Sequence, residues 1–155
     1  DIVENYPDVK YVDINEGIKI ANILVCAMSL SKNNHAFFNY DLMKESMPGL
    51  IFINVSRGEL SPQKDILRLI KEKHLAGVAL DVYDKEFLIE KNLKNSCESD
   101  ETRVISELHA MNNVILTPHN AFNTVESLER KSKQSIQQIE SFLNHRKFIW
   151  EVPNS

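Results

Sequence analysis

Charged side chains follow three apolar stretches of the chain and could together carry out chemistry on a small acid. The three are Arg57 after the apolar run at 50–55, Glu86 after the run at 78–83, and His119 after the run at 114–117. An arginine guanidinium binds a carboxylate through two parallel hydrogen bonds. An imidazole passes a proton to or from a carbonyl or hydroxyl oxygen, and a nearby carboxylate orients it and favours its charged form. An arginine, a histidine and a carboxylate together suit the interconversion of an α-keto acid and an α-hydroxy acid, for which a cofactor must supply the hydride.

Each of the three residues also has an ordinary structural interpretation. Taken alone, Arg57 is typical of a surface ion pair, His119 of a packing or capping residue, and Glu86 of a solvated charge. Their occurrence at the ends of three successive strands makes the functional interpretation as well supported as the structural one, because perturbed and paired charges concentrate at functional sites.

The elements that must position these residues alternate between strand and helix patterns. We predict strands at 10–13, 23–27, 50–55, 78–83 and 114–117, and helices at 14–20, 41–47, 62–74, 101–110 and 124–144. Most of the strands are continuously apolar, which indicates a parallel sheet buried on both faces. The fold class is therefore α/β with a doubly wound parallel sheet, in which ligands bind beyond the carboxyl ends of the strands.

The helix boundaries follow from capping signals. Ser61 is predicted to cap the helix at 62–74, with Pro62 at its first position, and Asn123 with Glu126 resembles a capping box for the last helix. Residues 84–111 interrupt the alternation and are predicted to form a surface excursion that contains the helix at 101–110.

Composition limits the class of protein and of partner. The chain has 155 residues, which suggests one domain, and its net charge of -4 without a basic stripe argues against a nucleic acid partner. The longest apolar runs are too short to cross a membrane. Cys26 and Cys97 form no CxxC motif, which favours a reducing, cytoplasmic location, and no metal site is predicted.

Three motifs resemble the D-isomer-specific 2-hydroxyacid dehydrogenases. They are INVSRGEL at 53–60, LAGVALDVY at 75–83 and NVILTPH at 113–119, in the family's order and spacing. The resemblance implies a Rossmann-like domain that binds NAD. It also implies that Arg57 binds the substrate carboxylate, that His119 donates and accepts the proton, and that Glu86 pairs with His119.

The same resemblance implies a set of cofactor contacts. Asp81 would lie beside the nicotinamide carboxamide, and Asp1 would bind the adenosine ribose and favour NAD over NADP. The full set of expected cofactor-binding residues is Asp1, Met28, Ser29, Asn34, Val55, Ser56, Arg57 and Asp81.

The family pattern is incomplete in this chain, which contains no GxGxxG motif. We therefore expect a partial doubly wound sheet that lacks the first βα unit and the substrate domain. Residues 1–147 would form the distal part of the NAD-binding domain, and residues 148–155 a tail that returns toward the substrate domain. Such a chain should be inactive alone and should self-associate through its unpaired strand at 23–27.

The substrate stays open at this point. The long segment between Glu86 and Val114 and the sequence His119-Asn120-Ala121-Phe122 resemble the D-lactate dehydrogenase branch. The alternatives are a family member that acts on 2-hydroxyisocaproate, glyoxylate or phosphoglycerate, or a non-catalytic module that senses a dinucleotide. The resemblance implies a small 2-oxo or 2-hydroxy acid as partner, and a homodimer.

Overall fold

The structure, a computed structural model, describes residues 6–150. Contacts divide the chain into two compact units, the first ending at His119 and the second beginning at Asn120. The first unit contains the sheet and most of the helices, and the second contains one long helix.

Strands and helices alternate through the first unit, as the apolar pattern predicts. The strands are β1 (Ile23–Cys26), β2 (Leu50–Asn54), β3 (Leu75–Leu80) and β4 (Val114–Leu116). The helices are α1 (Ile14–Gly17), α2 (Tyr40–Lys44), α3 (Gln63–Lys71), α4 (Glu86–Lys94), α5 (Asp100–His109) and, in the second unit, α6 (Val125–His145), with a 3-10 turn at Gly58–Leu60.

The four strands form one parallel sheet in the order β1-β2-β3-β4. Cys26 pairs with Asn54, Asn54 pairs with Leu80, and Leu80 pairs with Leu116, so the carboxyl ends of all four strands are level. The loops that follow the strands therefore emerge along one edge of the sheet. This arrangement confirms the α/β class and the parallel sheet.

The core lies on one face of the sheet. Phe52 on β2 and Leu80 on β3 are almost completely buried, and α3 packs Ile66 and Leu69 into the same cluster. Burial of side chains of this size is the main source of favourable free energy in a small domain. The helix α5 adds Leu108 to the cluster, which places α5 beside α3.

The opposite face of the sheet is exposed in the part of the chain that the structure describes. Ile23 is 58% exposed, Val25 53%, Ile51 39% and Ile115 65%. The expectation of strands buried on both faces is therefore wrong for this face.

Two predicted elements differ from the structure in kind. Residues 10–13 form no strand, since the segment pairs with no neighbour in the described sheet. The predicted excursion at 84–111 contains a further helix, α4, ahead of the predicted one. Its single buried residue, Ile89, explains why the pattern is weak.

The predicted capping residues are also corrected. Pro62 is the cap of α3, because the Ser61 hydroxyl instead accepts a hydrogen bond from Asn54 Nδ2 at 2.7 Å. Thr124 rather than Asn123 caps α6, with its side chain accepting from the backbone of Ser127.

The second unit is the helix α6 with a short return. Phe148 stacks on Phe142 with 4.9 Å between the ring centroids. Gln138 donates to the Trp150 carbonyl at 2.9 Å and accepts from the Ile149 amide at 2.6 Å. The residues after α6 therefore fold back along the helix.

Candidate active site

A histidine and a glutamate meet beyond the carboxyl end of the sheet. His119 follows β4 and Glu86 begins α4, and the imidazole Nδ1 lies 2.9 Å from Glu86 Oε2. Both side chains are about two-fifths exposed, so solvent-borne molecules can approach the pair. A carboxylate at this distance fixes the ring orientation and favours a proton on Nδ1.

Backbone geometry at this pair is unusual. His119 has a φ of 53°, and Lys85, immediately before Glu86, has a φ of 55°. Residues with a Cβ atom enter this left-handed region at a cost of about 1–2 kcal/mol, and such strain clusters at functional sites. The backbone at His119 and the backbone just before Glu86 are therefore both in a strained conformation, which the surrounding structure must hold in place.

Arg57 lies in the loop after β2, and this loop is held by a buried amide. Asn54 Nδ2 donates to the Arg57 carbonyl at 2.9 Å, and Asn54 Oδ1 accepts from the Ser56 amide at 3.0 Å. The guanidinium donates to the Ser56 carbonyl at 2.7 Å and is exposed. The loop backbone is thus fixed while the charged group remains accessible.

Gly58 brings the Arg57 loop against the loop that leads to Glu86. A Cβ atom at position 58 would lie 1.9 Å from the carbonyl carbon of Tyr83 and 2.3 Å from the Asp84 nitrogen. Only glycine permits this approach of two backbones. The loop of Arg57 therefore contacts the segment that leads to Glu86, and Glu86 in turn contacts His119.

Asp81, the first residue after β3, is a buried carboxylate with a defined partner. It is 4% exposed, and its Oδ1 accepts from the Thr117 hydroxyl at 2.6 Å. The Tyr83 hydroxyl donates to the Thr117 carbonyl at 2.8 Å. Burial, and then the negative charges of Asp81 and Glu86, raise the pKa of Tyr83 to about 12, so its hydroxyl remains a donor at neutral pH.

A groove lies between the loops that follow β1 and β2. Its volume is about 260 Å³, and it is lined by Ala27, Met28, Ser29, Leu30, Ser56 and Arg57. The Ser56 hydroxyl donates to the Met28 carbonyl and joins the two loops. Burial also raises the pKa of the Cys26 thiol beneath the groove, which keeps that thiol protonated.

Asn34 holds the loop after β1. Its Oδ1 accepts from the Ser31 amide at 2.7 Å, and its Nδ2 donates to the Ser29 carbonyl at 2.8 Å. These bonds engage both ends of the carboxamide, so the structure assigns it to the shape of the groove wall. Whether Asn34 also touches the cofactor stays a prediction.

Val55 and Asp1 are the other two residues expected to contact the cofactor. Val55 is 44% exposed beside the groove. Asp1 lies outside the described residues. Three residues that shape the site, Gly58, Lys85 and Thr117, were not predicted to do so, although Gly58 and Thr117 lie inside the recognised motifs.

The described residues, 6–150, contain no cluster of three or more histidine, cysteine, aspartate or glutamate side chains that could hold a metal ion. Within the same range, none of the helices combines the length and the apolar character that crossing a membrane requires.

Known proteins are similar to this chain in sequence and in fold. Residues 2–121 match the family profile described as D-isomer specific 2-hydroxyacid dehydrogenase, NAD binding domain. A 2-hydroxyacid dehydrogenase homolog of Zymomonas mobilis is 30% identical over 132 residues, 84% of this chain and 39% of that protein. The D-lactate dehydrogenase of Lactiplantibacillus plantarum is 28% identical over 144 residues, 92% of this chain and 43% of that protein.

A solved structure of D-2-hydroxyisocaproate dehydrogenase is similar with a TM-score of 0.89 and 28% identity, over 98% of this chain and 46% of that one. The chain spans about two-fifths of the length of these curated relatives. The profile match covers more than half of the chain and includes all three motifs. The chain therefore belongs to the D-isomer-specific 2-hydroxyacid dehydrogenase family, through that family's Rossmann-like NAD-binding domain.

Proposed function

We propose that these residues serve an NAD-dependent D-2-hydroxyacid dehydrogenase, in which they bind a small 2-oxo acid and move its proton. The observation that carries the proposal is the 2.9 Å contact between His119 Nδ1 and Glu86 Oε2 at the sheet edge where Arg57 also emerges. The alternative of a sensing module is less well supported, because it does not require an arginine, a glutamate and a histidine together.

The cofactor fits the groups present at the carboxyl ends of the strands. The buried Asp81 carboxylate is an acceptor suited to the amide of a nicotinamide ring. The groove lined by Met28 and Ser56 has both apolar and polar walls, as ligand sites usually do. Thr117 fixes the Asp81 carboxylate by its hydrogen bond. When bound, NAD supplies the hydride chemistry that these side chains cannot perform.

The proton would move through His119. Because Nδ1 engages Glu86, we assign the transferred proton to Nε2. In reduction, the charged imidazole donates this proton to the keto oxygen, and Glu86 stabilises the charge beforehand. In oxidation, the neutral ring accepts the hydroxyl proton. Arg57 would hold the substrate carboxylate through its planar guanidinium.

D-Lactate and pyruvate are the substrates that we propose. The support is the resemblance of the segment after His119 to the D-lactate branch and the similarity to the Lactiplantibacillus plantarum enzyme. A 2-hydroxyisocaproate-type substrate is the second candidate, because a structure of that enzyme superimposes with a TM-score of 0.89. A cytoplasmic location, which the unpaired Cys26 and Cys97 favour, and a homodimer remain part of the proposal.

The test is a comparison of His119→Ala with His109→Ala in the whole protein, by NADH-dependent reduction of pyruvate and 2-ketoisocaproate. An oriented proton donor contributes roughly 10²–10⁴ in rate, so His119→Ala should lower kcat by about that factor. His109 ends α5 and is exposed, so its replacement controls for the loss of an imidazole and should leave kcat unchanged. Near-normal turnover of His119→Ala would remove this residue from the mechanism.

A further inference from the structure

The residue that precedes Glu86 is held from outside its own helix. Lys85 occupies the first boundary position of α4 in the left-handed region, with φ 55° and ψ 39°, and its side chain makes no capping bond to the helix. Strained backbone of this kind persists only where surrounding structure determines it. The conformation of Lys85 sets the direction in which α4, and with it Glu86, begins.

The outside contact comes from α5. Lys85 Nζ lies 3.0 Å from Oε1 of Glu101, whose side chain is 22% exposed. Glu101 lies in the first turn of α5, which a reciprocal capping box between Ser99 and Thr102 fixes. Glu101 is therefore a defined point to which Lys85 is attached.

The start of α4 is not closely packed against α3 and α5. A cavity of about 120 Å³ lies between α3, α4 and α5, and its lining includes Lys85, Ile89, Glu101 and Val104. Ile89 is the single buried residue of α4. The ion pair therefore lies beside a cavity at the start of α4, a helix whose buried contact comes from Ile89.

Both members of the pair carry their charge at neutral pH. The hydrogen bond from Lys85 lowers the pKa of the Glu101 carboxyl, and the same bond raises the pKa of the Lys85 ammonium. The attachment is thus a charge-assisted hydrogen bond, which is stronger than one between neutral groups.

We propose that Glu101 is a positioning residue that acts through Lys85 to hold Glu86 at hydrogen-bond distance from His119. In catalysis the inference rests on the proposed function, and there loss of Glu101 lowers kcat more than it changes KM, because Asn54 holds the Arg57 loop independently of Glu101. The contact itself is measurable on this chain without any activity.

The variants are Glu101→Gln, which keeps the shape and removes the charge, and Lys85→Met, which removes the partner charge. Glu107→Gln is the matched control, since Glu107 lies on the same helix and pairs with Lys71 of α3, away from Glu86. Glu86→Ala removes the carboxylate that contacts His119, so it sets the largest change in the tautomer balance of His119 that loss of this contact can produce. Thermal unfolding of each variant verifies that it is folded. If Glu101→Gln does not fold, Lys85→Met tests the proposal instead.

The readout is the balance of the two neutral tautomers of His119, from side-chain ¹⁵N shifts recorded at about pH 9, above the ordinary titration range of imidazole. In the native chain, Glu86 favours the tautomer with the proton on Nδ1. We expect Glu101→Gln to lower the ratio of that tautomer to the other by about two- to fivefold, the range of effects that partly exposed ion pairs produce. Glu107→Gln should leave the ratio unchanged.

Two comparisons separate positioning from a general structural effect. Glu101→Asp retains the charge and should restore the ratio, because the flexible lysine stem can follow the shorter side chain. The effects of Glu101→Gln and Lys85→Met should not add in the double variant, since both break one interaction.

Each outcome decides something definite. If Glu86→Ala shifts the ratio and Glu101→Gln does not, the positioning inference is overturned while the proposed function stands. If Glu86→Ala itself leaves the ratio unchanged, the Glu86–His119 contact fails, and with it both proposals. Additive effects in the double variant would also overturn action through Lys85.

Discussion

At the residue scale, a glycine and a buried asparagine determine the position of the loop that carries Arg57. Gly58 is the clearest case, because its missing side chain allows the loop of Arg57 to contact the backbone of Tyr83 and Asp84. The Asn54 carboxamide fixes the same loop through hydrogen bonds to the Arg57 carbonyl and the Ser56 amide. Replacing either residue should disturb the site before it disturbs the sheet.

We predict that Gly58→Ala destabilises the chain by roughly 3 kcal/mol, the upper range for overpacking, since the added carbon would meet backbone 1.9 Å away. Urea unfolding followed by circular dichroism measures the change. Gly77→Ala is the control, because its added carbon would find its nearest neighbour at 3.4 Å. Equal stability of the two variants would contradict the close approach.

At this scale, the sequence predicts which charged residues follow the strands. It does not predict the contacts that hold those residues in place. Arg57 and His119 come a few residues after β2 and β4, and the carboxyl ends of these strands are level with that of β3 in this sheet. The contact between Lys85 and Glu101 depends on how two helices lie against each other. No local pattern encodes that relation, so sequence analysis could not find it.

At the element scale, α2 and α3 are joined by one carboxylate with three partners. Glu72, at the end of α3, lies 2.7 Å from Lys44 Nζ, accepts from the Tyr40 hydroxyl at 2.9 Å and lies 3.0 Å from Arg68 Nε. The hydrogen bond from Lys44, followed by that from Tyr40, lowers the pKa of Glu72 from its usual 4.5 to about 2. The network therefore binds the charged form of Glu72.

A pH dependence follows from this lowered pKa. Because the folded state favours the carboxylate, Glu72 contributes its full stabilisation above about pH 4.5, and this contribution is lost as the pH falls toward 2. We predict that Glu72→Gln flattens the loss of unfolding free energy over this interval, and that salt diminishes the difference. Chemical denaturation at several pH values measures it. Glu45→Gln, whose partner Lys19 is 4.0 Å away, should retain the wild-type slope.

Helix prediction succeeds where one face is strongly apolar. Ile66, Leu67 and Ile70 indicate α3, and the structure buries all three. The helix α4 has no such stripe, since Phe87 is 79% and Leu93 62% exposed. Its existence depends on the tertiary contacts of Ile89 and Lys85, which a local pattern does not contain.

At the scale of the whole molecule, the sheet has an uncovered face and an edge strand. β1 pairs only with β2 among the described residues, and Ile23 and Val25 on it are more than half exposed. Continuous apolar runs in the sequence predict burial on both faces, but a sequence pattern cannot say which partner provides the cover. Unpaired strand edges with apolar side chains promote association.

We therefore predict that the isolated chain self-associates through β1. Sedimentation velocity should show a sedimentation coefficient that rises with concentration, and Val25→Lys should suppress the rise. Ile115→Lys places the same charge on the same face at the opposite edge strand, so it should suppress association less. A chain that remains monomeric at all concentrations, or equal effects of the two variants, would contradict association through β1.

The meeting of Gly58 with the Tyr83–Asp84 backbone also has an evolutionary consequence. The loop that carries Arg57 and the backbone at residues 83–84 meet with no room for even one added carbon atom. We expect a larger residue at position 58 to be tolerated only together with compensating changes at residues 83–84.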